Sequence, residues 1–487
     1  MVRQLATFLR SSRAAVPSAR PLYSRGYSAA SGGAEDAASR GPNSTRVPEG
    51  DPIRSLVEPP GSQTRSSQPS ATSIGRQGIR IHTGKGNISA MHYLLRDGCK
   101  CPQCVDQHSK QRNFRMSDIP ADIKPRSADW DGSVLKVKWE NDIPGFDESH
   151  TSTYTLNQLR NPSANYSYHS TGRKRKRLLW HNWFQHRFVS YEEYMHDDKA
   201  FSSAMRVLAQ TGLLFVKDVP ESRAEVEKIA TRMGPLRNTF YGATWDVRTV
   251  PEAKNVAYTS QFLGFHMDLM YMNEPPGFQL LHCLQNSCDG GESLFADSFA
   301  VARQLSLDDP EAFKALCNFR LSYEYNHEND IYTNDWPVFQ TYVDEYTQQT
   351  RLMHANYSPP FQAPMHGQRR PFNRTVTEMR ALDKFAKMLE DEQYIYELKL
   401  NPGECVIFEN RRVLHARKQF NTATGQRWLA GAYVDEDAVL SKFATSARKH
   451  PHMWRDSPNK PHRKQAEGGS HDGPELNYVD MTKNVTC

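Results

Sequence analysis

Two imidazoles and one carboxylate set the tightest limit on how this chain can fold. His266 and Asp268 stand two residues apart, and His415 follows far downstream within Arg411-Arg412-Val413-Leu414-His415-Ala416-Arg417. A His-x-Asp pair completed by a distant histidine is the ligand pattern of an Fe(II) site with one open face. Side chains two apart in a strand point to the same side. The spacing therefore predicts a strand through 265–268 that turns His266 and Asp268 onto one sheet face. His-x-Asp by itself is common, and most such pairs are merely solvated or hydrogen-bonded, so the weight falls on the surrounding sequence.

With 487 residues the chain is long enough for two or three domains. No uninterrupted apolar run approaches the roughly 20 residues that cross a bilayer, so no membrane partner is expected. The net charge of +6 invites a nucleic-acid reading, but its distribution argues against one. Arg3, Arg10, Arg13, Arg20 and Arg25 all precede the first acidic residue, Glu35, in a Ser- and Ala-rich stretch. That composition predicts a mitochondrial transit peptide over 1–30, with an ordinary disordered tail as the plain alternative. Residues 31–76 are Gly, Pro, Ser and charge and read as a disordered linker, as does the tail 446–487. Matrix localisation is expected, with the cytoplasm as the alternative.

Cysteine is scattered except at Cys99, Cys101 and Cys104. Three thiolates within six residues can wrap one tetrahedral ion, which predicts a structural zinc in a domain spanning 77–165. His150, after the strand-like run 134–139 and a Pro-Gly turn, is the expected fourth ligand, with His108 as its rival. Next comes Arg173-Lys174-Arg175-Lys176-Arg177, within a connector assigned to 166–190. Lacking interleaved aromatics, this run reads as a solvated linker.

From 191 to 445 the pattern changes to short strands with helices outside. Residues 198–210 and 221–233 carry apolar positions at helical spacing, and Gly212-Leu213-Leu214-Phe215-Val216 reads as a buried strand. Further strands are predicted at 278–283, 350–354, 394–400, 405–409 and 427–433, separated by turns such as Asn401-Pro402-Gly403 and Asp289-Gly290-Gly291. The expected fold class is mixed α+β: the count and spacing of the strands suit a double-stranded β-helix, a cupin-like jelly roll whose mouth can hold a ligand, behind a small zinc-binding domain. If 427–433 is a regular strand, Arg427, Leu429, Gly431 and Tyr433 share one face.

Several ordered runs resemble the gamma-butyrobetaine dioxygenase family, whose sister is the trimethyllysine dioxygenase family. They are Phe240-Tyr241-Gly242-Ala243-Thr244-Trp245, Asn255-Val256-Ala257-Tyr258-Thr259, Pro275-Pro276-Gly277-Phe278-Gln279-Leu280-Leu281-His282-Cys283, Asn410-Arg411-Arg412-Val413-Leu414-His415 and Gly431-Ala432-Tyr433-Val434-Asp435, together with the cysteine cluster. The similarity extends from about Ile79 to Phe443. It implies an Fe(II)- and 2-oxoglutarate-dependent hydroxylase that uses dioxygen, with ascorbate as reductant and zinc in its amino-terminal domain. Iron would be held by His266, Asp268 and His415.

The resemblance also assigns Arg427 to the distal carboxylate of 2-oxoglutarate, which a guanidinium grips bidentately. Asn255, Ser293 and Leu281 fall in the same cosubstrate pocket. A trimethylammonium donates no hydrogen bonds, so aromatic faces must attract it. Tyr241, Trp245, Tyr258 and Tyr433 match the positions of such a cage, and Asn356 matches the residue that meets the substrate carboxylate. The implied reaction is conversion of gamma-butyrobetaine to L-carnitine, with succinate and carbon dioxide as co-products. Departures at Leu269-Met270-Tyr271 and Ser293 keep trimethyllysine, or another trimethylammonium compound, open as the substrate. A homodimer is the default for such an enzyme. A catalytically inactive, zinc-stabilised interaction protein is the contrasting class, and the intact triad and Arg427 argue against it.

Overall fold

The structure is a computed structural model that describes residues 72–83, 86–160, 171–248, 259–343, 350–365 and 372–454. The expected transit peptide, most of the linker and the segment after 454 lie outside the described residues. No helix among the described residues is long and apolar enough to cross a membrane.

The amino-terminal domain opens with the strand Thr72–Ile74, five residues before the expected boundary, paired with Gly78–Thr83 and then Gly86–Met91. A second antiparallel sheet joins Pro125–Trp130, Val134–Trp139 and Ser152–Thr155. In Val134–Trp139 the residues Leu135, Val137 and Trp139 are buried while Lys136 and Lys138 are exposed, the alternation of a strand with one wet face. Those apolar residues pack with Ile79, Ile81 and Leu95 into a core of their own that includes Cys99 and Cys104.

Two sheets face each other in the second domain. The larger runs in the order Phe188–Ser190, Leu213–Lys217, Cys405–Glu409, Phe278–Asn286, Arg427–Val434 and Thr244–Arg248. The smaller runs Leu263–His266, Val413–Arg417, Ser293–Asp297 and Tyr396–Leu398. Neighbours far apart in sequence, all antiparallel except the first pair, give the expected jelly roll. Burial follows strand parity. Phe278 and Leu280 pack outward under the helices Asp198–Thr211, Glu225–Met233 and Glu436–Lys449, while Leu281 and Cys283 join Phe295, Phe408 and Leu429 between the sheets. Because both faces of the larger sheet are covered, its strands read as near-continuous apolar runs rather than alternating ones.

The helix expected from 221 begins at Glu225, and the helix Glu436–Lys449 runs past 445, with described residues continuing to Trp454. The hairpin Arg320–His327 with Asp330–Pro337 and the helices Ser298–Asp308, Pro310–Asn318 and Phe372–Leu389 were not anticipated. One of them was signalled locally: Asp309 caps Pro310–Asn318 by accepting from the Ala312 amide at 3.0 Å, with Pro310 in the first turn.

The basic run is not a solvated connector. Arg175 and Arg177 alternate with the partly exposed Lys174 and exposed Lys176 and turn inward. Both reach Glu409 Oε1, at 2.8 and 3.1 Å. Arg412 is likewise buried against Asp297 at 2.8 Å and donates to the carbonyls of Gln210 and Leu178. Burial alone would raise the Glu409 carboxyl, but Arg175, Arg177 and Arg412 outweigh it and hold it down at about 2. An extended segment with period two can bury one row of cations when a carboxylate waits beneath it.

His282 sits fully buried on the helix-covered face of the larger sheet, and neither ring nitrogen has a hydrogen-bond partner among the described residues. Burial pushes the imidazole from the ordinary 6.5 down to about 4, opposed only by the charge of Glu225. The folded state thus refuses a proton that the unfolded chain accepts below 6.5, so this contribution to stability is complete above that pH and is lost toward 4. Between pH 7.5 and 5.5 the loss should be about 1 kcal/mol. Urea midpoints of the wild type and His282→Leu check this: the variant should lose less on acidification, and equal losses would refute the assignment.

Candidate active site

The strand Leu263–His266 pairs with Val413–Arg417 so that His266 stands directly opposite His415. Their ring centroids are 4.1 Å apart. Asp268 does not continue the strand as expected. The chain leaves the sheet after His266 and turns, with Leu269 at φ +57°. Asn410 clamps the turn, accepting from the Asp268 amide at 2.9 Å and donating to the Asp268 carbonyl at 3.0 Å. A turn delivers the carboxylate to the two imidazoles, where a straight strand would have carried it along the sheet.

The carboxylate Oδ1 lies 3.4 Å from His266 Nε2 and 3.9 Å from His415 Nε2. One ligand atom from each residue falls within 4.8 Å of the others, a separation suited to a shared ion. His266 Nδ1 faces the Gly264 carbonyl at 2.9 Å, so the proton belongs there and Nε2 keeps its lone pair for a metal. Burial, with His266 beside it, pushes His415 down to about 3, which leaves that ring neutral and able to ligate. Burial would raise the Asp268 carboxyl, yet its neighbours His266, His415 and Tyr433 together hold it down at about 2. Tyr433 donates to Asp268 Oδ2 at 2.5 Å and so leaves Oδ1 facing the imidazoles. Two histidines and a carboxylate on one side of a cavity fit Fe(II) with open positions.

That cavity runs between the two sheets. It is lined by the triad together with Tyr241, Trp245, Leu281, Ser293, Arg427 and Tyr433, all of them singled out from the sequence. Arg427, Leu429 and Tyr433 line it from one strand, as the parity argument requires. Arg427 is 8% exposed, forms no ion pair with the described residues, and leaves its Nε without a hydrogen-bond partner among them. A buried, unneutralised guanidinium facing a cavity is a built anion site, and it fits the distal carboxylate of a dicarboxylate.

The aromatic wall differs from a four-sided cage. Trp245 and Tyr433 stack on each other with centroids 3.9 Å apart, so no cation fits between them. The surface left for a ligand is the ring area outside that stack together with Tyr241, which packs edge-on to Tyr325 at 6.3 Å. Tyr258 and Asn255 lie outside the described residues. Asn356 is fully buried and absent from the cavity lining. Its Oδ1 accepts from Arg411 Nε at 3.0 Å and Nη2 at 2.6 Å, and its Nδ2 donates to the Pro337 carbonyl at 2.7 Å. A side chain engaged in this way braces the turn before the second histidine and stands outside the cavity lining, where the resemblance had matched it to a substrate contact.

Gln279, Phe361 and Arg417 also line the cavity and were missed. Two had a local signal. Gln279 is a polar residue in an apolar strand at the parity of Leu281, and Arg417 follows His415 by two.

In the amino-terminal domain Cys99, Cys101, Cys104 and His150 converge, with ligand atoms all within 4.8 Å of one another. His150 Nε2 lies 3.6 Å from Cys99 Sγ and 3.3 Å from Cys104 Sγ, and its Nδ1 pairs with Asp142 at 2.5 Å. The rival His108 is exposed. Three thiols and an imidazole oriented by a carboxylate fit a closed, structural zinc site.

Residues 176–433 match the taurine catabolism dioxygenase TauD, TfdA family, and residues 73–160 match the gamma-butyrobetaine hydroxylase-like N-terminal domain. The dioxygenase str8 of Strobilurus tenacellus is 33% identical over 367 residues, covering 72% of this chain and 83% of that protein. The gamma-butyrobetaine dioxygenase of Pseudomonas sp. (strain AK-1) is 31% identical over 378 residues, covering 76% and 94%. The mitochondrial trimethyllysine dioxygenase of Mus musculus is 28% identical over 368 residues, covering 73% and 82%.

Proposed function

We propose, from the premise that this chain belongs to the taurine catabolism dioxygenase TauD, TfdA family and carries a gamma-butyrobetaine hydroxylase-like amino-terminal domain, that it hydroxylates gamma-butyrobetaine to L-carnitine. The protein is an Fe(II)- and 2-oxoglutarate-dependent dioxygenase. One observation carries the choice of substrate. Among the described residues, the cavity has a bare guanidinium at Arg427, aromatic surface at Trp245, Tyr433 and Tyr241, and no carboxylate apart from the metal ligand Asp268. A quaternary ammonium needs ring faces, whereas the charged amino group of trimethyllysine would find no carboxylate to pair with in such a lining.

Iron, when bound, supplies the oxidation with dioxygen, and 2-oxoglutarate leaves as succinate and carbon dioxide. His266, Asp268 and His415 would hold the ion. Tyr433 holds the Asp268 carboxylate in register, so one residue serves both the metal ligand and the aromatic wall. Arg427 would fix the far end of the cosubstrate. The rings would hold the methylated ammonium, leaving a carbon of the chain at the open face. We propose zinc at the Cys99, Cys101, Cys104 and His150 site, and mitochondrial import from the acid-free segment 1–30.

Purified protein given Fe(II), ascorbate and 2-oxoglutarate should form carnitine and stoichiometric succinate with gamma-butyrobetaine. It should turn over trimethyllysine at least tenfold more slowly. Succinate formed only with trimethyllysine would transfer the reading to the sister reaction, and no substrate-dependent succinate from either compound would overturn both.

A further inference from the structure

The fold leaves an amide in the cavity wall without a partner for its oxygen. Gln279 belongs to the strand Phe278–Asn286, where parity turns it inward with Leu281, and both line the cavity. It is 3% exposed, yet its Oε1 has no hydrogen-bond partner among the described residues. A polar group stripped of water is nearly always bonded, because its desolvation is otherwise uncompensated. A primary amide carries one acceptor and two donors, and a half-turn about its last bond exchanges them. Gln279 can therefore offer N–H to the cavity without giving up any contact of Oε1.

Its place in the sheet is level with the metal ligands. Gln279 stands in register between Tyr433 and Phe408. Tyr433 donates to Asp268 Oδ2 at 2.5 Å, and the Phe408 ring centroid lies 4.9 Å from that of His415. Arg427 enters from the opposite end of the same strand pair, in register with Asn286. A dicarboxylate whose far end lies on Arg427 thus turns its other carboxylate toward the triad and Gln279. Other lining donors are engaged or stand elsewhere. Tyr433 is spent on Asp268, and Ser293 is in register with Arg417, which shares the Phe420 ring with Arg427 at the far end. A 2-oxo acid that chelates a metal through its keto group and one carboxylate oxygen leaves the second oxygen bare in a buried site. A charge-assisted hydrogen bond is what that oxygen needs.

We propose that Gln279 donates from its amide to the metal-end carboxylate of the cosubstrate, so that the larger sheet holds the 2-oxo acid at both ends, by Arg427 and by Gln279. The proposal rests on the reading of this cavity as the 2-oxoglutarate pocket. It gives the buried amide a partner that arrives only with the ligand.

The full chain loaded with Mn(II) in place of Fe(II), which permits binding without turnover, is titrated calorimetrically with 2-oxoglutarate and with 2-oxopentanoate, the five-carbon acid that keeps the metal-end carboxylate and lacks the distal one. Gln279→Met, which keeps the length of the side chain and removes its donors, should weaken both acids by the same factor, about tenfold to hundredfold, and leave Mn(II) affinity within about twofold. The ligand-free variant should melt no lower than the wild type, because an unpartnered buried acceptor has been removed. An unchanged affinity for 2-oxoglutarate, a loss confined to 2-oxoglutarate, or a loss shared with Mn(II) and with the melting temperature overturns the proposal. If Gln279→Met does not fold, the wild type decides: its crystal structure with Mn(II) and 2-oxoglutarate should place Gln279 Nε2 about 3 Å from the metal-end carboxylate, and an amide turned to any other group refutes the assignment. Failure of the wild type to bind either 2-oxo acid would overturn the cosubstrate reading itself, an outcome distinct from any defect of the variant.

Discussion

Glu409→Gln is expected to lower the unfolding free energy by about 3–5 kcal/mol, the cost of removing one partner from a buried ion cluster. The carboxylate lies between Arg175 and Arg177, whose side chains are 0% and 6% exposed, and it is itself 5% exposed. Neutralising it leaves two guanidinium groups where water cannot reach them. Glu409 ends the strand Cys405–Glu409, and Asn410, the next residue, clamps the Asp268 turn. Damage should therefore reach the metal site as well as the buried ion cluster. Urea denaturation at pH 7.5 measures the first effect, and Mn(II) affinity the second. A loss below about 1 kcal/mol would place the pair in the range of exposed ion pairs and would contradict its burial.

The second large effect is expected at Gly431. The indole of Trp245 lies across this residue, and a Cβ there would stand 2.4 Å from Trp245 Cε2 and 2.6 Å from both Cζ2 and Nε1. Real carbon contacts do not approach so closely, so Gly431→Ala must push the ring away. The stack with Tyr433 then breaks. A desolvated cation–π contact is worth about 2 kcal/mol per ring, so losing both should raise the KM for the betaine by roughly a hundredfold to a thousandfold. The KM for 2-oxoglutarate should change little, because Arg427 lies four residues away at the other end of the strand. Equal rises in both constants would show that the strand itself had moved and that the rings hold no ammonium.

How much of this was legible beforehand depends on the distance over which each feature is decided. The strand Cys405–Glu409 was read with its observed limits, and 427–433 fell one residue short, because an apolar run bounded by turn residues is a local signal. Period two correctly put Arg427, Leu429 and Tyr433 on the cavity face. The same rule failed at Asp268, since it assumes a strand that continues, and the positive φ of Leu269 ends the strand beyond His266. Asn356 aligned with a substrate contact, yet Arg411 occupies its amide oxygen, and nothing near either residue in sequence announces that pairing.

The chain alone therefore determined the chemistry that can occur here: two histidines and a carboxylate, three thiols within six residues, arginines and aromatic rings at strand spacing. Residue type and short-range periodicity survive in a linear sequence because they depend on bond geometry and on which side of a strand faces water. Only the tertiary structure decided which of those groups meet. Arg177 finds Glu409 across 232 positions, Trp245 closes onto Tyr433, and Arg417 and Arg427 converge on Phe420 from facing sheets. Those meetings follow from antiparallel pairing between strands distant in the chain, where separation along the backbone carries no record of separation in space.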